Sequence, residues 1–534
     1  MNQAHRSTAA IAETSAGDLL CAEDGPTRVA KIVSSAMAKN NHSHRKRPMM
    51  KSLVPLFAVL LSFSLHAQAE RPLVDMREML DVGTLDVKVL QDWRLVKDEV
   101  PTRQKLITIR VGDLLPGREY RVPVRMIVPA RGKATGFHLT GGHDPPQLEK
   151  AVPPRGVEQE LIRGGVGLVY TVVQVLERSG QGKLGQASNK RFIETLNPRY
   201  SIQYWGWPAT LMRAVTAAYA EKEHFKVGKV ALSGGSKNGA SPSVAIIHDE
   251  RMTAVHAGVS PIWDSPLRLC DRKVWDDLHA ANKRYAGKLR GGNPRVNQNR
   301  IMNHQFLGGT FGPVYNNQAL DAGHTWEDLR KLADVMADRV FVSRYIGDLK
   351  AREVDMYFHP GTHDFVAFDV AWGGRHHPQI PLYLRANSGH GKKTGHPAAE
   401  RDEQNKSAFL LEHFFDNVEP LLESPSVKSR LKGNRLSVAV TFKPGSKAES
   451  GRIWWMYNRG PDGSAAYIND MIPENQWKDM QFDADKNAWT VSIDLKLNAS
   501  RIDFFSNHRK TITYRAKKYP TYISSPYTRV SLKE

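Results

Sequence analysis

From Leu106 to Val128 apolar and polar side chains alternate, first in LITIRV (106–111) and again in YRVPVRMIV (120–128). A period of two is what a strand with one buried face requires. Gly117 and Arg118 between the runs predict a turn, hence an antiparallel pair. After this the rhythm changes. Residues 136–140 lead into a Gly141-Gly142-His143-Asp144-Pro145-Pro146 loop, residues 157–163 have helical spacing, and 165–173 (GVGLVYTVV) are an unbroken apolar run. Such runs suit strands covered on both faces, as in parallel sheets. Pro208 then opens a helix with Leu211, Met212, Val215, Ala218 and Tyr219 on one stripe, proline being tolerated in a first turn. Strand, helix and strand follow at 227–233, 238–248 and 252–259. This alternation predicts an α/β fold, a mostly parallel sheet with helices on both faces.

Residues 264–335 break the pattern. They are polar, rich in Trp, Asn and Arg, and predict a helical lid inserted between two sheet strands. The sheet resumes at 354–358 and 380–386. Past about Pro425 the texture changes to short strands separated by turn residues, at 436–442, 452–457, 489–495 and 501–505, the spacing of a small C-terminal antiparallel β-sandwich. At 534 residues the chain exceeds the roughly 250–300 that one core supports. The expected domains are therefore 70–425, holding the lid at 264–335, and 426–534.

Residues 1–69 are set apart from this fold. Arg45-Lys46-Arg47 and Lys51 precede a 13-residue apolar run at 53–65 (LVPLFAVLLSFSL), and His66-Ala67-Gln68-Ala69 follows. That order is expected of a secretory signal peptide cleaved after Ala69, which predicts a periplasmic or secreted protein; a buried core helix is the alternative. The run is too short for a bilayer, which takes about 20 residues. Met49 or Met50 would be a more ordinary start than Met1.

The chemistry concentrates in KVALSGGSKNGA (229–240). Here Ser236 lies between an expected strand and an expected helix. A nucleophile elbow needs that turn, with small neighbours around a serine held at a strained backbone angle, and Gly234, Gly235 and Gly239 supply them. The string departs from G-x-S-x-G because Asn238 takes the second glycine's place. A helix-capping serine turn is the competing reading. A nucleophilic serine needs a base and the base an orienting carboxylate, in the chain order Ser, acid, His. Asp364 follows the 354–358 strand and His390, between glycines, follows the 380–386 strand, so these two complete the expected triad. Asp264 and Asp348 are alternative acids; His359, His363 and His396 are alternative bases. The oxyanion-hole donors are expected to be the backbone N–H groups of Lys237 and Gly142, although Gly141-Gly142 could be a plain turn.

The stretch from about residue 100 to 420 resembles the α/β-hydrolase superfamily. Gly234-Gly235-Ser236-Lys237-Asn238-Gly239, with Asp249-Glu250-Arg251-Met252 after it, resembles the PhoPQ-activated pathogenicity-related proteins, whose tail the final β-domain is also similar to. The same elbow is similar to the G-x-S-[RK]-x-G elbow of glucuronoyl esterases. That second resemblance implies cleavage of sugar-uronate esters aided by a basic residue after the serine, the place of Lys237.

Composition refines this picture in three ways. The net charge is +20, and the eight Lys/Arg and four Asp/Glu of residues 1–69 leave +16 on the remainder. The cations are scattered among acids without interleaved aromatics, which argues against nucleic acid as a partner and allows an acidic polymer or anionic envelope. Of two cysteines, Cys21 falls in the leader, so Cys270 has no internal disulfide partner in a processed chain. The histidines at 359, 363, 376, 377 and 396 match no fixed zinc-ligand spacing, so neither a metal nor a cofactor is expected. Trp205 and Trp207 could stack on a sugar or pack before the Pro208 helix. The expectation is thus an exported serine esterase acting on a small-molecule or carbohydrate ester, with no stable membrane span and an open oligomeric state. A peptidase with the same triad is one alternative and a non-catalytic envelope binding protein the other.

Overall fold

The protein, as a computed structural model, is described over residues 73–173, 181–260, 262–265, 272–273, 316–364, 369–390, 397–460, 462 and 471–533. The expected signal peptide, Cys21, Cys270, His396 and positions 266–271 and 274–315 of the expected lid lie outside the described residues.

Eight strands form one sheet: β1 (Lys88–Val96), β2 (Thr102–Leu115), β3 (Arg118–Pro129), β4 (Ala134–Thr140), β5 (Gly167–Thr171), β6 (Phe225–Gly235), β7 (Ala254–Gly258) and β8 (Asp355–His359), in the order β1-β2-β3-β5-β4-β6-β7-β8. The first three are antiparallel and β5 pairs antiparallel with β3, while β5, β4, β6, β7 and β8 run parallel. Gly117 turns the β2–β3 hairpin at φ +67. Helices α1 (Val157–Arg163), α2 (Trp207–Ala220) and α3 (Lys237–His248) make the crossovers into β5, β6 and β7, and α4 (Val370–His376) and α5 (Pro397–Phe414) follow β8. Every residue of β5 and β7 is buried, as both-face coverage demands. An antiparallel start, a parallel remainder and helical crossovers make this an α/β-hydrolase fold.

The expected strand at 380–386 is not continuous. Only Leu382 and Arg385 bridge to Phe358 and Gly361, in parallel. Pro360 and Pro381 lack the N–H that a ladder needs, so pairing is reduced to alternate bonds. Those bonds are Phe358 N to Pro381 O at 3.1 Å, Tyr383 N to Phe358 O at 2.8 Å and Arg385 N to Pro360 O at 3.1 Å.

The C-terminal strands are β9 (Ser426–Lys432), β10 (Arg435–Thr441), β11 (Ser450–Tyr457), β12 (Trp477–Asp479), β13 (Gln481–Asp483), β14 (Ala488–Asp494), β15 (Arg501–Tyr514), β16 (Lys517–Ser524) and β17 (Thr528–Ser531). They form two antiparallel sheets, β13-β14-β10-β9 and β12-β11-β15-β16, with β17 on β15. Leu436, Val438, Ile453, Ile493, Ile502 and Phe504 fill the space between them. The second sheet also faces the α/β layer: Met456, Ile472, Phe505, Ile512, Tyr514 and Tyr527 belong to the same continuous core as β4–β8.

Candidate active site

The parallel strands end level with one another. Thr140 of β4 pairs with Ser233 of β6, Gly235 with Gly258 of β7, and Gly258 with His359 of β8. The loops leaving these ends therefore gather on one rim. Ser236 leaves β6 there and starts α3, with φ 61 and ψ −127, a region that a residue with a side chain occupies only under strain. The turn is closed by Ser236 N to Gly258 O and by Gly239 N and Ala240 N to Ser236 O, all at 2.9 Å.

Glycine at two positions makes this turn possible. A Cβ on Gly234 would lie 1.9 Å from the Asn238 carbonyl oxygen, and one on Gly239 would lie 2.6 Å from that of Gly258. A Cβ on Gly235 would meet nothing nearer than 3.8 Å. The close approach that the second glycine of G-x-S-x-G is expected to serve thus falls one residue later, at Gly239. Asn238 instead turns its amide toward Gly142, where a Cβ would lie 3.4 Å from Asn238 Nδ2.

Ser236 Oγ lies 2.6 Å from His390 Nε2, and His390 Nδ1 lies 3.0 and 3.2 Å from the two carboxylate oxygens of Asp364. With Nδ1–H donating to the carboxylate, Nε2 is the ring nitrogen able to accept the serine proton. Asp364 is 1 % exposed, whereas the His390 side chain is about a quarter open to solvent. One end of the series is sheltered and the other accessible. Gly142 sits exposed on the loop after β4, its N–H 3.4 Å from Thr140 Oγ1, and Gly141 behind it packs on Val173. Lys237 opens α3, whose N-terminal end favours negative charge, and its Nζ lies 6.0 Å from the centre of the Trp207 ring.

The other candidate residues sit elsewhere. Asp264 lies 2.7 Å from His377 Nε2 and 2.5 Å from Arg344 Nε, and accepts from Ser343 Oγ. Burial alone would raise its carboxyl, but the His377 and Ser343 hydrogen bonds and the Arg344 charge outweigh that and hold it at about 2. Asp348 is exposed on the Ile346–Ala351 helix. His363 pairs with the neighbouring Thr362 hydroxyl, 2.8 Å from Nδ1, and His376 with the Trp372 carbonyl. Trp205 is buried, with the Arg199 guanidinium 3.4 Å over its ring, so it packs against a protein cation. Trp207 is buried as well.

Beneath the rim runs a buried network that no spacing in the sequence announces. His359 Nε2 lies 2.7 Å from His256 Nε2, and His359 Nδ1 lies 3.0 Å from Asp402 of α5. Arg385 spans from Asp402 to the carbonyl of Gly389, 3.2 Å to each. It thereby fixes the residue immediately before His390. Isolated His, Asp and Arg codes from four separate elements carry no common motif, so only tertiary structure could assemble them.

No protein-family model matches the sequence, and no curated protein matches it. Among solved structures, the fold is similar to acetyl xylan esterase 1 from Thermoanaerobacterium sp. JW/SL YS485, at 13% identity over 64% of this chain and 92% of that one, TM-score 0.35. It is also similar to a CE15 glucuronoyl esterase from Teredinibacter turnerae T7901, at 12% identity over 62% and 79% of the two chains, TM-score 0.36. A third is the Pyrococcus horikoshii acylaminoacyl peptidase, at 11% identity over 61% and 50%, TM-score 0.30.

Proposed function

We propose that this chain is an exported serine hydrolase that cleaves carboxylic esters, sugar-linked ones included, through an acyl-enzyme on Ser236. The observation that supports it most is the hydrogen-bonded series Ser236–His390–Asp364, anchored at a strained elbow on the rim where loops converge. In this reading Ser236 Oγ attacks the ester carbonyl while His390 Nε2 takes its proton. The imidazolium so formed is stabilised by Asp364, which also fixes the ring's tautomer. The oxyanion is met by the backbone N–H groups of Lys237 and Gly142, aided by the α3 N-terminus. His390 returns the proton to the departing alcohol, then activates water to release the acid. Export rests on the positive, apolar and small-residue order of residues 45–69. The resemblance of the elbow to glucuronoyl esterases, with Lys237 after the serine, favours uronate esters within this class.

A fluorophosphonate probe tests the reading directly. Wild type is expected to be labelled and Ser236→Ala not. Asp364→Asn is expected to slow labelling by about 10³–10⁴-fold through loss of the productive tautomer, while Asp264→Asn stays within a few-fold. Equal labelling of wild type and Ser236→Ala would sink the proposal. A panel of aryl esters, acetylated sugars, uronate methyl esters and peptide anilides then separates an esterase from a peptidase.

A further inference from the structure

The loops bearing Asp364 and His390 are zipped to each other. Thr362 N donates to Arg385 O at 3.2 Å, His363 N to Ser388 O at 3.0 Å, and Asn387 N to Thr362 Oγ1 at 3.1 Å. A Cβ on Gly361 would sit 2.4 Å from the Ser388 carbonyl oxygen, so the loops touch backbone to backbone. Fixing one of them therefore fixes both.

What fixes them comes from the C-terminal β-region. Asn387 exchanges two hydrogen bonds with Ile472: its Nδ2 donates to Ile472 O at 2.9 Å, and Ile472 N donates to its Oδ1 at 2.8 Å. Ile472 is buried and Asn387 half-buried, so the pair is partly sheltered from water. Arg459, also buried, donates to the Thr362 carbonyl and to Tyr527 Oη at 3.2 Å. Tyr527 Oη donates to Asp503, which Arg529 clamps with two bonds of 2.8 and 2.7 Å. On the outer side of the segment that leads to His390, Ser524 N donates to Leu382 O at 2.7 Å and Leu384 N to Ser524 Oγ at 2.7 Å. The β16 end thus pairs with the edge of this segment that faces away from β8.

We propose that the C-terminal β-region is a working part of the catalytic site: Asn387, through Ile472, is a positioning residue for His390, and Arg459 holds the acid loop in the same way. This rests on the reading of Ser236, His390 and Asp364 as a triad. Its physical basis is geometric. Asn387 lies three residues before His390 at φ 54, where the side chain–backbone pair with Ile472 sets the direction in which the chain continues. A displacement of the imidazole by about 1 Å costs on the order of 100-fold in rate.

Asn387→Gly tests this cleanly, since glycine accepts φ 54 and the change deletes only the bridge. Asn387→Asp keeps the acceptor for Ile472 N–H and removes the donor. In the full-length protein, the labelling rate of Ser236 and kcat on an aryl acetate are measured from pH 5 to 9, with circular dichroism as the check on folding. We expect Asn387→Gly to lower both by about 10–100-fold at pH 8 with KM little changed. Asn387→Asp should recover part of the rate. A merely structural role would lower the amount of folded protein without lowering kcat per folded molecule or giving the partial rescue by Asn387→Asp. A wild-type kcat and labelling rate in Asn387→Gly overturn the inference while leaving the serine-hydrolase reading intact. If Asn387→Gly fails to fold, Asn387→Asp carries the test, and a wild-type rate in it overturns the inference. Absence of Ser236-dependent labelling in wild type instead overturns the underlying reading.

Discussion

Ser236 can hold φ 61 because the positions around it leave room for the chain to double back. This makes two adjacent glycines unequal. Gly234→Ala drives a Cβ into the Asn238 carbonyl at 1.9 Å and is expected to cost at least about 3 kcal/mol in denaturant unfolding, with loss of probe labelling. Gly235→Ala meets open space and is expected to stay within about 0.5 kcal/mol of wild type. Equal effects of the two would contradict the turn geometry. The GGSKNG string made the elbow legible at this scale, but not the reason its last glycine stands one place late, which lies in the carbonyl of Gly258 on the next strand. The sequence favoured Asp364 as the acid but left Asp264 and Asp348 open. Asp264, Asp348 and Asp364 each follow a stretch that reads as a sheet strand or its neighbour, and only the packed loops bring Asp364 alone to His390 while engaging Asp264 with His377, Ser343 and Arg344.

Among the elements, β5, β7 and α2 were legible because their sequences are mostly apolar, as near-complete burial demands: every residue of β5 and β7 is buried, and so is α2 from Trp207 to Ala218. Stretches dominated by buried polar residues were not. β15 runs to Tyr514, although its apolar signal ends at Phe505; Ser506, Asn507 and His508 are buried within it and carry hydrogen bonds, including Asn507 Nδ2 to Leu384 O at 3.3 Å. β9 is almost wholly exposed and has no alternation to read. Helix α5 carries a buried cost of another kind. Burial first, and then the nearby Asp355 carboxylate, push Glu412 up to about 7. Its folded pKa exceeds the unfolded one, so the native state binds more protons and stability falls as pH rises from about 4.5 to 7. Glu412→Gln is therefore expected to be more stable than wild type by roughly 2 kcal/mol at pH 8. The gap should close below pH 4, as urea titrations at the two pH values would show.

At the scale of the whole molecule, the second C-terminal sheet is a middle layer. One of its faces packs against β10 and β14, and the other shares the core of the α/β layer. Gly374 of α4 presses on the C-terminal segment so closely that a Cβ there would lie 2.1 Å from Tyr527 O. Glu160 of α1, almost wholly buried, pairs with Lys517 of β16 at 2.7 Å. Layers that share a core are expected to unfold together. Calorimetry should give one transition with a ratio of calorimetric to van't Hoff enthalpy of about 1. Two resolved transitions would mean that the sheets fold as separate bodies.

The linear order of apolar runs determined the α/β fold, the place of the elbow and the order in which serine, acid and histidine arrive, because burial and turn chemistry act over a few residues at a time. Tertiary structure alone decided which acid reaches His390, which buried polar residues are satisfied, and that Ile472, Arg459 and Ser524 hold loops tens of residues away. Those outcomes depend on hydrogen bonds whose partners are distant in sequence, and such partners leave no period in the chain.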